Sequence, residues 1–139
     1  MSPIPIYEDW VAIVDDDPSI RRSLARIFTL EDVCARTFSS AEDYLECVGS
    51  REPCCLVLDV QLGGMNGFEL QDLLRAEGRA PPIIFITALD AIPSAQLACR
   101  SGQSGFLRKP FDVGALLDLV RPHLNARSVF RPSVAVRES

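Results

Sequence analysis

The sequence predicts an α/β fold: one domain of five β-α units, with parallel strands in a single sheet covered by helices on both faces. Three observations predict it. Short apolar runs alternate five times with segments of helical periodicity along the 139 residues. Two of the runs, Cys54-Cys55-Leu56-Val57-Leu58 and Ile83-Ile84-Phe85-Ile86, are continuously apolar, as strands buried on both faces are. Four of the runs stop at chemically capable residues: Asp15-Asp16, Asp59, Thr87 and Lys109. Open α/β sheets build their sites in the crevice outside the carboxyl ends of their strands.

Val11–Val14 is the first strand. Asp17-Pro18 then starts a helix, with Asp17 as N-cap and Pro18 at the first helical position. Ile20, Leu24, Ile27 and Phe28 share one face of that helix, which ends near Leu30. A second strand is expected over residues 33–37. A short helix capped by Ser39 or Ser40 then reaches about Val48 and stops at Gly49. Residues 54–58 form the third strand. Gly67 opens a helix through Leu70, Leu73 and Leu74 that ends before Gly78. Residues 83–86 form the fourth strand, and Pro93 marks the first turn of a helix closed by Gly102. Residues 105–108 form a short fifth strand. Val113, Leu116, Leu117 and Val120 give the last helix its apolar face, and Pro122 is expected to kink or end it near Arg121.

Residues 1–9 read as a leader, 10–124 as the domain, and 125–139 as a tail or the start of an interdomain linker. The net charge of −5 excludes a surface that is basic throughout and binds nucleic acid or anionic membrane over its whole extent. No apolar stretch approaches the roughly 20 residues of a membrane span. The five cysteines are odd in number, form no CxxC pair and face a single histidine, His123. They read as reduced thiols of a cytoplasmic protein, with Cys54 and Cys55 acting as small hydrophobes in a central strand.

Asp15, Asp16 and Asp59 at adjacent strand ends would gather three carboxylates. So close a set of like charges calls for a cation or a raised pKa. Hard oxygen donors suit Mg²⁺, with Mn²⁺ as the alternative. Lys109 offers a point charge, and Thr87 a hydroxyl, to phosphoryl oxygens. A carboxylate flanked by a divalent metal, a lysine and a hydroxyl is equipped to act as a nucleophile on a phosphoryl group. Taken singly, each residue has a plainer role. Asp15-Asp16 can cap the next helix, Asp59 can be a turn residue, Thr87 a strand end and Lys109 a solvated charge. The specificity lies in the ordered set, each member closing a strand.

That set resembles the receiver domains of two-component response regulators, the CheY-like family. The motifs are Val14-Asp15-Asp16-Asp17-Pro18-Ser19, Leu58-Asp59, Ile86-Thr87-Ala88 and Lys109-Pro110-Phe111. The stretches Ile84-Phe85-Ile86-Thr87 and Phe106-Leu107-Arg108-Lys109-Pro110-Phe111 resemble the FixJ-type subgroup most, whose full-length members carry a helix-turn-helix output domain. The resemblance implies a flavodoxin-like (βα)5 fold with strand order 2-1-3-4-5. It implies that Asp59 accepts a phosphoryl group from the phosphohistidine of a sensor histidine kinase. Asp15 and Asp16 would hold Mg²⁺ together with Asp59 and the backbone carbonyl of Gln61. Thr87, Ala88 and Lys109 would contact the phosphoryl group. Phe106 would be the aromatic switch, its plainer alternative being an ordinary core aromatic. The fourth helix, fifth strand and last helix would form the signalling face, used for a partner protein or for a homodimer on activation. No independent enzyme is expected beyond self-phosphorylation and loss of the phosphoryl group, and no nucleic acid or membrane binding by this domain itself.

The sequence departs from the family pattern in places. Gly63 stands where a proline is common, which loosens the loop after the third strand. Leu89 and Gln61 occupy positions that tune phosphoryl hydrolysis, and Pro122 lies in a helix that often makes the dimer contact. Two other readings remain. One is a pseudo-receiver that only binds protein partners. The other is a small haloacid-dehalogenase-like phosphohydrolase with Asp15 as nucleophile, which would leave Asp59 without a role.

Overall fold

A computed structural model describes residues 9–49 and 51–124. Residues 1–8 of the leader expected over 1–9, and the tail expected over 125–139, lie outside the described residues. Within them the chain runs β1 (Val11–Val14), α1 (Pro18–Leu30), β2 (Ala35–Phe38), α2 (Ala41–Cys47), β3 (Cys55–Asp59), α3 (Gly67–Ala76), β4 (Ile83–Thr87), α4 (Ser94–Ser101), β5 (Phe106–Arg108) and α5 (Val113–Val120). The five strands are all parallel and lie in the order β2-β1-β3-β4-β5. The chain reverses its direction of travel across the sheet between β1 and β3. That switch point opens a crevice at the strands' carboxyl ends.

Alternation along the strands builds two cores, because successive side chains leave a strand on opposite faces. Ala12, Val14, Leu56, Leu58 and Phe85 point to a core shared with Tyr44, Leu70, Leu74 and Leu97 of α2, α3 and α4. Val11, Ile13, Cys55, Val57, Ile84 and Ile86 point to a core shared with Leu24, Phe28, Leu116 and Val120 of α1 and α5. Cys55 is fully buried there as a small hydrophobe, and all five cysteines are free thiols. A polar clamp joins α3 to α4. The Arg100 guanidinium meets Asp72 at 2.7 Å and Gln71 at 3.0 Å and lies 4.7 Å from the centre of the Phe68 ring.

Local chemistry sets the boundaries. Asp17 caps α1 by accepting from the Ser19 amide at 2.9 Å. Ser40, not Ser39, caps α2. A reciprocal capping box of Asn66 and Glu69 starts α3. β2 begins at Ala35 rather than at residue 33. The Val33 amide still bonds the Phe28 carbonyl at the end of α1, and Asp32 sits at a φ of 66°. β3 runs one residue later than expected, so Asp59 is itself its last member. Pro93 precedes α4 as its N-cap rather than entering the first turn. Gly105, at a φ of 87°, stays outside β5. Pro122 has the expected effect: α5 stops at Val120, and Arg121–His123 tightens into a 3-10 turn.

Candidate functional site

β1 delivers Asp15 and Asp16 just beyond its end, β3 ends on Asp59, β4 ends on Thr87, and Lys109 follows β5. Ladder bonds hold these ends level. The Val60 amide donates to the Ile86 carbonyl at 3.0 Å and the Lys109 amide to the Thr87 carbonyl at 2.8 Å. Asp15 and Thr87 are fully buried and Asp59 is 3% exposed, whereas Asp16 is exposed. One ligand atom from each of Asp15, Asp16 and Asp59 lies within 4.8 Å of the others.

The Lys109 ammonium bridges the two buried acids, 2.7 Å from Asp15 Oδ2 and 2.9 Å from Asp59 Oδ2. The remaining oxygens accept backbone amides. Asp17 N–H donates to Asp15 Oδ1 at 2.9 Å and Gln61 N–H to Asp59 Oδ1 at 3.0 Å. Burial raises the Asp59 carboxyl above its ordinary pKa, the Asp15 charge adds to that, and the hydrogen bonds from Lys109 and Gln61 oppose it. Burial by itself would lower the Lys109 pKa, but its bonds to Asp15 and Asp59 more than reverse this, so it stays firmly charged. Three carboxylates against one ammonium leave an excess of negative charge. The donors are all hard oxygens, and this set fits Mg²⁺ or Mn²⁺.

Thr87, Ala88 and Gln61 follow or end the strands beside this pair, and Phe106 lies farther off. The Thr87 hydroxyl accepts the Leu89 amide at 3.0 Å, which fixes the turn that exposes Ala88. Gln61 is exposed at the start of the loop after β3. Phe106 is half-buried against the α3–α4 core on β5, with β4 between it and the strand that carries Asp59. The peptide bond between Lys109 and Pro110 is cis.

Sequence reasoning missed four supporting residues. Arg21 donates to the Asp15 carbonyl at 2.8 Å. Gly67 lets α3 close on the end of β3, where a Cβ would come within 2.5 Å of the Asp59 carbonyl oxygen. Glu42 accepts the Met65 amide at 3.0 Å. Arg108 donates to the Leu89 carbonyl at 3.0 Å, the Ile92 carbonyl at 2.5 Å and Ser94 Oγ at 3.2 Å. Gly67 carried a signal, a glycine at a helix start beside a candidate acid. The two anchors Glu42 and Arg108 carried none, since each acts on a distant loop.

The sequence profile of the response regulator receiver domain matches residues 11–121. The chain is 37% identical over 111 residues to the C4-dicarboxylate transport transcriptional regulatory protein DctR of Rhodobacter capsulatus, covering 78% of this chain and 56% of that protein. It is 40% identical over 110 residues to nodulation protein W of Bradyrhizobium diazoefficiens, covering 79% and 48%. It is 33% identical over 114 residues to the transcriptional regulatory protein FixJ of Azorhizobium caulinodans, covering 82% and 54%. The chain thus spans about half the length of these curated relatives. Among solved structures, the response regulator StyR superposes with a TM-score of 0.76 at 36% identity, over 93% of this chain and 65% of that one. FixJ-N superposes with a TM-score of 0.73 at 29% identity, over 85% and 94%. With a profile match over most of its length, the same strand order, and three acids gathered at the switch point, this chain belongs to the receiver domain family of two-component response regulators, with FixJ-type relatives.

Proposed function

We propose that this domain accepts a phosphoryl group on Asp59 from the phosphohistidine of a sensor histidine kinase, in a reaction that depends on Mg²⁺. The observation that carries this reading is the Lys109 ammonium held between Asp59 and Asp15 beside a third acid. An Asp59 carboxylate oxygen attacks phosphorus, the phosphorus–nitrogen bond breaks, and the electron pair leaves with the imidazole. Burial strips water from Asp59, and Lys109 keeps the carboxylate in place and compensates charge on the transferred group. Asp15, Asp16, Asp59 and the Gln61 carbonyl would hold the cation, which supplies charge neutralisation to the phosphoryl oxygens. Thr87 and the small, exposed Ala88 border the position the group would take. Phe106 reports the change to the face made by α4, β5 and α5.

Two apolar grooves suit the partners this reading needs. One, of ≈ 390 Å³, runs beside Lys109 and is lined by Ile20, Leu24, Ile27, Phe111 and Val113. A helix of the kinase can lay its apolar face there. The other, of ≈ 420 Å³, is lined by Ala98, Phe106, Leu107, Ala115 and Leu119. It lies on the proposed signalling face and suits a partner protein or a second copy on activation. Residues 10–124 form the receiver unit, with 125–139 as a tail or linker.

Intact mass after acetyl phosphate treatment tests the reading. Wild type is expected to gain one phosphoryl group only with Mg²⁺ present, and Asp59→Asn to gain none. An adduct that survives Asp59→Asn and vanishes in Asp15→Asn moves the nucleophile to Asp15 and makes the protein a phosphohydrolase. No adduct on wild type leaves a pseudo-receiver.

A further inference from the structure

We propose that Glu42, on α2, is a positioning residue for the metal edge of the acceptor site, because its carboxylate braces the glycine loop that carries the Gln61 carbonyl. The metal edge rests on the receiver reading; the brace stands on its own geometry.

Between β3 and α3 the chain turns through residues 60–66. The ends of this loop anchor themselves. The Gln61 amide bonds Asp59 Oδ1 at 3.0 Å, the Gly67 amide bonds the Val60 carbonyl at 2.9 Å, and Asn66 and Glu69 close a capping box. Gly63 and Gly64, in the middle, have no side chains to hold them. Glu42 fills that gap twice over. Its Oε2 accepts the Met65 amide at 3.0 Å across 23 residues of sequence. A Cβ built on Gly64 would lie 2.9 Å from the same oxygen, so the carboxylate rests against the Gly64 α-carbon. Gly64 has a φ of 81°, a conformation that glycine adopts freely. The Met65 amide also holds the Glu42 carboxyl below its ordinary pKa. A carbonyl serves a hard cation only from an ordered loop, and ordering deferred to the binding step weakens affinity.

The test compares the full chain with Glu42→Ala, Glu42→Gln and Gly64→Ala. Two quantities are read: amide hydrogen exchange at residues 61–66 without metal, and the Mg²⁺ dissociation constant by calorimetry. Glutamine keeps an acceptor for the Met65 amide and loses only the charge. We expect Glu42→Ala and Gly64→Ala to speed Met65 exchange and to weaken Mg²⁺ about 3- to 10-fold, while Glu42→Gln stays within about twofold of wild type. A thermal midpoint unchanged in Glu42→Gln and Glu42→Ala separates this from general destabilisation. Equal weakening in both Glu42 variants with Met65 exchange unchanged would overturn the proposal, because Glu42 would then act through charge alone. If Gly64→Ala fails to fold at its positive φ, the two Glu42 variants still decide. If wild type binds no Mg²⁺, the receiver reading fails, and Met65 exchange alone judges the brace: unchanged protection in Glu42→Ala overturns it.

Discussion

The loops after β3 and β4 both border Asp59, yet they are fixed by opposite chemistry. The first, residues 60–66, is rich in glycine and is held from outside by an acid, Glu42, acting on a backbone amide. The second, residues 88–93, is held by a base, Arg108, acting on two backbone carbonyls and a serine hydroxyl. The anchors differ in strength as well as in sign. Glu42 is exposed and makes a single bond, whereas Arg108 is half-buried and makes three. The first loop should therefore open locally more readily than the second in the intact protein, and should lose less when its anchor is removed. In the proposed function the first would border the cation, and the second would carry the Thr87–Leu89 turn towards the phosphoryl group. Lys109 joins the two halves, following Arg108 in sequence and touching Asp59 in space.

The largest effect should come from removing that junction. Lys109→Met leaves Asp15 and Asp59 as two buried carboxylates with no ammonium between them. Phosphoryl acceptance from acetyl phosphate should fall about 100-fold or more, as expected for loss of a charged group aimed at the transition state. The metal-free protein should also lose roughly 3 kcal/mol at pH 7, since one partner of a buried ion pair is gone. The sign with pH follows from Asp59. Its folded pKa already lies above the ordinary value because of burial and Asp15, and loss of Lys109 raises it further. The folded state then holds protons that the unfolded state has released, so stability falls as pH rises through that window. The deficit against wild type should shrink as pH is lowered from 7 towards 5. Urea denaturation at both pH values checks this; a deficit independent of pH would mean that Lys109 serves packing rather than charge.

Arg108→Ala probes the second anchor without touching Asp59. Two donors leave the loop and a third leaves Ser94 at the start of α4, and the loop's carbonyls turn to water. Amide exchange at residues 88–92 should quicken about tenfold or more, as for loss of charge-assisted bonds worth on the order of 1.5–3 kcal/mol. Exchange at residues 61–66 should stay as in wild type. If both loops loosen together, they form one unit and the contrast between them is false.

Much of this was legible in the sequence. The apolar runs marked the three inner strands, β1, β3 and β4, because strands buried on both faces admit little else, whereas the half-exposed edge strands β2 and β5 left a weaker pattern; Asp15, Asp16, Asp59, Thr87 and Lys109 each stood at the end of a strand run. Asp17-Pro18 announced α1 because both residues act locally. What stayed hidden was non-local. The start of β2 depended on how the Val33 amide finishes α1. Glu42 looked like an ordinary acid in a first helical turn, and Arg108 like one residue of a short edge strand. Each gains its role only when the sheet brings a distant loop beside it. The loosening expected from Gly63 is correspondingly offset from outside, by a residue no local pattern connects to it.

The smallest effect separates the two glycines of the first loop. Gly64 lies at positive φ with the Glu42 carboxylate where a side chain would go, but Gly63 has neither constraint: its φ is outside the left-handed region, and a Cβ there meets nothing within 4 Å. Alanine at Gly63 therefore narrows the unfolded ensemble without straining the folded loop, and should stabilise the protein by about 0.5 kcal/mol. The urea midpoint should rise with no change in slope, since the area exposed on unfolding is unaltered. If the loop's looseness is what Glu42 compensates, Gly63→Ala should also recover part of the Mg²⁺ affinity lost in Glu42→Ala. Equal gains in Mg²⁺ affinity with and without Glu42 would show that the brace and the glycine act on different parts of the loop.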